Sequence, residues 1–136
     1  MIPVYQSLPD PVSGDCLSAC LASLLELRLE DVPRFFGAHK TDVCWYLRLD
    51  EWLAARGLRL FVCLIEPDEL DRKYLVGQTV EDENIVWPTG LCIMMGTSPR
   101  NTKHAVIGHA GTLIHDPYPS GGGLARVEGY LTLARR

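Results

Sequence analysis

The chain has no basic run longer than the closing Arg135-Arg136, no long apolar run and only one close pair of cysteines. Each absence removes a class of function. Thirteen Lys and Arg against seventeen Asp and Glu leave a formal charge of -4, so neither nucleic acid nor an anionic membrane is an expected partner. Apolar runs such as Leu91 to Met95 fall far short of the roughly 20 residues that span a bilayer. The opening Met-Ile-Pro-Val-Tyr-Gln places no basic cluster ahead of an apolar run, and no signal peptide is expected. The five cysteines, at 16, 20, 44, 63 and 92, are odd in number and scattered, unlike a disulfide framework. They read as reduced thiols of a cytoplasmic protein. Cys16 and Cys20 with His104 and His115 could be written as a zinc set, but no second cysteine pair completes it. Glycines 121 to 123 are not followed by Gly-Lys-Ser or Gly-Lys-Thr and are no phosphate loop; a mobile rim to a site is the better reading. Neither a metal nor a cofactor is expected.

What is present is a composition of 47% hydrophobic and 22% charged residues over 136 positions, without repeats or linkers. That predicts one domain, residues 1–136, with a core that needs no staples. Pro3, Pro9, Pro11 and Gly14 make the first segment an extended arm. From Asp15, Leu17, Cys20, Leu21, Leu24 and Leu25 recur at helical spacing with Ala19, Ala22 and Ser23 between them, the pattern of a helix buried on most sides. Leu29 to Phe36 is read as a short second helix started by Asp31 and Pro33. A third, capped by Thr41 or Asp42, carries Trp45, Leu49, Trp52 and Leu53 on one face and stops at Arg56-Gly57. Leu58 to Ile65 reads as a buried strand, and the acidic stretch from Glu66 to Asn84 carries no assignment. Three short apolar runs follow, Leu91 to Met95, His104 to Gly108 and Thr112 to His115, then Arg126 to Leu133. They predict antiparallel strands with a hairpin turn at 109 to 111. The fold class is α+β, an N-terminal helix packed on a C-terminal sheet.

Cys16 opens the first helix, where free backbone amides and the helix dipole favour negative charge on a thiol. A thiolate nucleophile needs an imidazole to pair with it and to protonate the leaving group. His104, at the start of a strand, is the candidate. In a hairpin turning at 109 to 111, a residue near 104 lies roughly opposite one near 116, so Asp116 can orient that imidazole. His115 is the rival histidine; strand alternation lets only one of His115 and Asp116 face the thiol.

The order of Cys16, His104 and Asp116 resembles the papain-like cysteine peptidases. It is most similar to the double-glycine, bacteriocin-processing branch, which carries a glutamine upstream of an Asp-Cys helix start, then His, then Asp-Pro; here these are Gln6, Asp15-Cys16, His104 and Asp116-Pro117. Small bacterial and phage proteins are similar over Gly14 to Leu27 and over His104 to Pro117. The resemblance implies a papain-like fold and a Cys-His-Asp triad of Cys16, His104 and Asp116. It implies an oxyanion hole made by the Gln6 side chain and the backbone N–H of Cys16. Leu17 follows the nucleophile where many relatives have glycine, which narrows the approach to the thiolate.

Bland readings stand beside these. Cysteines are commonly core, and Cys20, Cys44, Cys63 and Cys92 are read so. Asp116 also suits an Asx turn before Pro117. His39 and His109 fall in loops, and Arg100 is read as part of a solvated loop rather than a contact for an acidic substrate. The expected function is a cysteine hydrolase, a peptidase, isopeptidase or amidase acting on a peptide, protein or other amide-containing substrate. An acyltransferase with the same triad, or a non-catalytic papain-fold binding module, is the alternative.

Overall fold

The computed structural model describes residues 1–7, 15–35, 45–64 and 86–136. Within them the chain is α+β, with two α-helices, Cys16–Leu25 (α1) and Trp45–Ala54 (α2), and five strands. The strands are Leu58–Leu64 (β1), Leu91–Thr97 (β2), Lys103–His109 (β3), Thr112–His115 (β4) and Arg126–Arg135 (β5). They form one sheet in the order β1-β5-β2-β3-β4, antiparallel throughout. The last strand therefore runs between β1 and β2 and joins the first strand to the β2, β3, β4 meander.

Both faces of the central strands are apolar, and each has its own cover. Ile93, Ala105, Ile107 and Leu131 face the helices and pack with Leu17, Leu21, Leu49 and Leu53. Cys92, Met94 and Val106, one residue out of phase, form a second cluster with Leu124 and with Val127, which lies beyond a register shift in β5, flanked by Trp87, Leu113 and Tyr130. That is why β2 and β3 read as continuous apolar runs and not as alternating ones. In α1 every residue from Leu17 to Ser23 is buried. Its hydroxyls are satisfied locally: Ser18 donates to the Pro33 carbonyl at 2.7 Å and Ser23 to the Ala19 carbonyl at 2.8 Å. The arm runs beside this helix, Ile2 N–H to the Ser23 carbonyl and Val4 N–H to the Ser23 hydroxyl.

Three expectations need correction. Leu29 to Phe36 is not a second α-helix: only Leu29–Asp31 makes a 3-10 turn, and Val32 is extended (φ -109°, ψ 120°). Pro33 is the cause, since its ring disfavours helical geometry in the residue before it; Phe36 lies outside the described residues. β1 is not a buried strand: Phe61 and Val62 are exposed and Leu58 and Leu60 only half-buried, and Cys63 with them is exposed, not core. It sits on β1, an edge of the sheet, out of phase with Leu58 and Leu60, which pack toward the helices. Cys20 and Cys92 are fully buried, as read, whereas Cys44, His39 and the Thr41 or Asp42 cap lie outside the described residues. The stop at Gly57 is present: its φ is +71° and its N–H returns to the Ala54 carbonyl.

Candidate active site

Cys16 is the first residue of α1 and is partly buried. Leu17, the next residue, is spent on the core and is 4% exposed. It is buried beneath the helix and does not wall the approach to the thiol.

His104 lies at the start of β3, its side chain 3% exposed. Its Nε2 is 2.7 Å from Asp116 Oδ1, and the Cys16 thiol lies near enough to the ring to raise its pKa. The imidazole thus bridges the helix start and the end of the β3-β4 hairpin. His115 takes no part in this bridge. Its Nε2 meets the Val4 carbonyl at 2.8 Å and its ring stands edge-on to Tyr5, with centroids 5.0 Å apart. Neighbours 115 and 116 therefore serve different partners, as alternation requires.

Asp116 is both a turn residue and the partner of His104. Oδ1 also accepts the Tyr118 N–H at 2.9 Å, an Asx turn, and Oδ2 accepts the Gly123 N–H at 2.7 Å. Residues 121 to 123 all have positive φ, 72°, 105° and 63°, which suits glycine alone without strain. The glycine run is therefore part of the support of the carboxylate. Arg100 is exposed and stacks 3.5 Å over the Tyr118 ring, whose edge faces His104 at 6.3 Å. Its place is a solvated loop one ring beyond the histidine.

Gln6 reaches the same region through the arm. Its N–H donates to the Pro117 carbonyl at 2.9 Å, next to Asp116, and Ser7 beside it is held by Asp15, next to Cys16. The four residues read as a site thus lie on segments that converge. His109 is exposed at the far end of β3.

The electrostatics follow the contacts. Burial opposes a charged His104, but the hydrogen bonds from Asp116 and Cys16 and their negative charge outweigh it and hold the pKa up at about 9. Burial likewise opposes the Asp116 carboxylate, yet His104 and the two backbone N–H groups hold its pKa below the ordinary range. Cys20, one turn below, is pushed up by burial and by the negative charge of Cys16 and Asp116.

Comparison with family models, curated proteins and solved structures finds no match to this chain. Among the described residues no three His, Cys, Asp or Glu side chains are grouped to hold a metal ion, and no helix is long and apolar enough to cross a membrane.

The sequence reading missed part of what holds Asp116 and the arm. The Gly123 N–H to Asp116 and the Ser7 contact with Asp15 were not read, and neither lies at a spacing that a period would reveal, whereas the Asx turn to Tyr118 was. A one-residue bulge in β4 was also missed; the β-branched Ile114 where it falls is no signal for one.

Proposed function

We propose that this chain is a papain-like cysteine hydrolase that cleaves an amide-type bond through an acyl-enzyme on Cys16. The observation that carries the reading is the buried His104 ring, hydrogen-bonded to Asp116 and set close to the Cys16 thiol. A histidine serving only as core would need one partner; this one has a bonded carboxylate and a neighbouring thiol.

In the proposed cycle the Cys16 thiolate adds to the substrate carbonyl carbon, forming the C–S bond. The negative charge passes to the carbonyl oxygen, which the Cys16 backbone N–H and the Gln6 side chain receive. The imidazolium of His104 then gives its proton to the departing nitrogen, the C–N bond breaks and an amine leaves. Neutral His104 takes a proton from water, whose oxygen attacks the thioester, and the acid product leaves with the thiolate restored. Asp116 holds the ring with Nδ1 toward sulfur and supports its charge. An amine replacing the water would make the enzyme an acyltransferase with the same residues. The free thiols Cys16, Cys20, Cys63 and Cys92 favour the cytoplasm as its compartment.

The test is the pH dependence of iodoacetamide alkylation at each cysteine, read by peptide mass mapping in wild type and His104→Ala. The expected result is fast reaction of Cys16 well below the ordinary thiol pKa of about 8.5, lost in His104→Ala. If Cys16 is inert, or reacts like the others at every pH, the catalytic reading fails and a non-catalytic binding module takes its place.

A further inference from the structure

Asp15 occupies the N-cap position of α1, yet its side chain makes no capping hydrogen bond to the first turn. Asp is among the best N-caps, and the helix forgoes that stabilisation here. The carboxylate turns instead to the N-terminal arm. Oδ1 and Oδ2 accept the Ser7 N–H at 3.1 and 3.2 Å, and Oδ2 accepts the Ser7 hydroxyl at 2.8 Å. Hydrogen bonds to an ionised acceptor are roughly twice as strong as neutral ones, and here three of them hold Ser7 to a residue that is 5% exposed. The residue beside Ser7 is Gln6, pinned by its own N–H to the Pro117 carbonyl. Gln6 is thus held from two sides, by the neighbour of Cys16 and by the neighbour of Asp116.

We infer that Asp15 is a positioning residue that clamps Ser7 so that the Gln6 side chain meets the oxyanion formed at Cys16. The inference rests on the reading of Cys16 as a nucleophile that is acylated. It assigns the carboxylate next to the nucleophile a geometric task, distinct from support of the thiolate. Two other anchors of the arm, Val4 on Ser23 and on His115, act farther from Gln6 than Ser7 does.

Two reagents separate that task from thiolate formation. With p-nitrophenyl acetate the thiolate sulfur adds to the ester carbonyl, an oxyanion forms, and p-nitrophenolate leaves as the thioester appears. With iodoacetamide the sulfur displaces iodide and no oxyanion develops. Gln6→Ala and Asp15→Ala are each expected to slow acylation of Cys16 by about 10²-fold, the scale of one lost oxyanion donor, and the double variant no further than either single. Their alkylation rates should change by no more than about fivefold, the scale of one charge near a helix end. Ser7→Ala removes one of the clamp's bonds at an exposed residue and should give a smaller loss of acylation in a folded protein. The inference is overturned if Asp15→Ala and Ser7→Ala acylate like wild type, if the Asp15 and Gln6 losses multiply, or if alkylation falls in proportion to acylation. A wild-type Cys16 no faster than the exposed Cys63 toward either reagent would instead sink the catalytic reading, and the clamp with it.

Discussion

Asp116 Oδ1 and His104 Nε2 meet at 2.7 Å across a hairpin that a regular register would not close in this way. Counting outward from the turn, His109 pairs with Thr112 and Gly108 with Leu113, but Ile107 pairs with His115. Ile114 is therefore an extra residue. A one-residue shift moves every following side chain to the other face of the strand, and bulges commonly re-aim a side chain in this way. Beyond the bulge, His115 pairs with Ile107 and meets the arm, while Asp116 follows the end of β4 and meets His104. One inserted residue thus precedes the contact between His104 and Asp116.

The third member of the proposed triad should matter less than the second. Asp116→Asn is expected to slow turnover or Cys16 acylation, at a cost about 10²-fold smaller than that of His104→Ala. Equal losses in the two variants, measured as single-turnover acylation rates, would mean that Asp116 does more than orient the ring.

Folding stability should carry the signature of His104. Its folded pKa, about 9, lies above the ordinary 6.5, so the folded protein binds this proton more tightly than the unfolded chain does. That contribution is fully present below 6.5 and is lost as pH rises through about 9, with a slope approaching about 1.4 kcal/mol per pH unit. Asp116, lowered from 3.8, acts in the opposite direction: its contribution is present above that value and lost as pH falls. Urea denaturation of wild type and His104→Gln across this range should show their difference shrink on the alkaline side. A difference that stays level would count against the buried ion pair.

Two strand glycines differ in what a methyl group would meet. At Gly96, which pairs with His104, a Cβ would fall 1.8 Å from the Arg126 carbonyl oxygen, and only a backbone shift relieves that. Gly96→Ala should cost at least about 2 kcal/mol. At Gly108 the obstacle is the tip of Met94, 2.4 Å away, which can swing aside; Gly108→Ala should cost less than about 1.5 kcal/mol. The order of the two urea midpoints checks the assignment.

Glycines 121 and 123 have similar φ angles, 72° and 63°, so alanine at either position should cost about 1 kcal/mol of backbone strain. Only Gly123 donates to Asp116. Gly123→Ala should therefore also reduce the low-pH alkylation of Cys16, and Gly121→Ala should leave it intact. A common effect of both variants on Cys16 would place the control in the loop as a whole.

Native thiol reactivity should sort the cysteines by place. Cys63 is exposed, whereas Cys20 and Cys92 are fully buried, the latter with its pKa pushed up to about 11 by burial. A disulfide reagent should modify Cys16 and Cys63 in the folded protein, and Cys20 and Cys92 only after denaturation. Rapid native labelling of Cys92 would contradict the second apolar cluster.

Local chemistry was legible without coordinates. The spacing of Leu17, Cys20, Leu21, Leu24 and Leu25 predicts α1, glycine and proline bound the strands, and Cys16, His104 and Asp116 stand out as residue types suited to one reaction. These follow from periods of 3.6 and 2 and from turn residues, which act between near neighbours. The expected helix at Leu29 to Phe36 failed because one proline outweighed a plausible start signal. Cys63 was misread because an apolar run looks the same in a central strand and at an edge. The bulge at Ile114, the Asp15 contact with Ser7 and the Val4 contact with His115 join residues whose meeting depends on how strands and arm pack. No local pattern encodes those distances: hydrogen-bond geometry and a one-residue register shift fix them only once the whole sheet has formed.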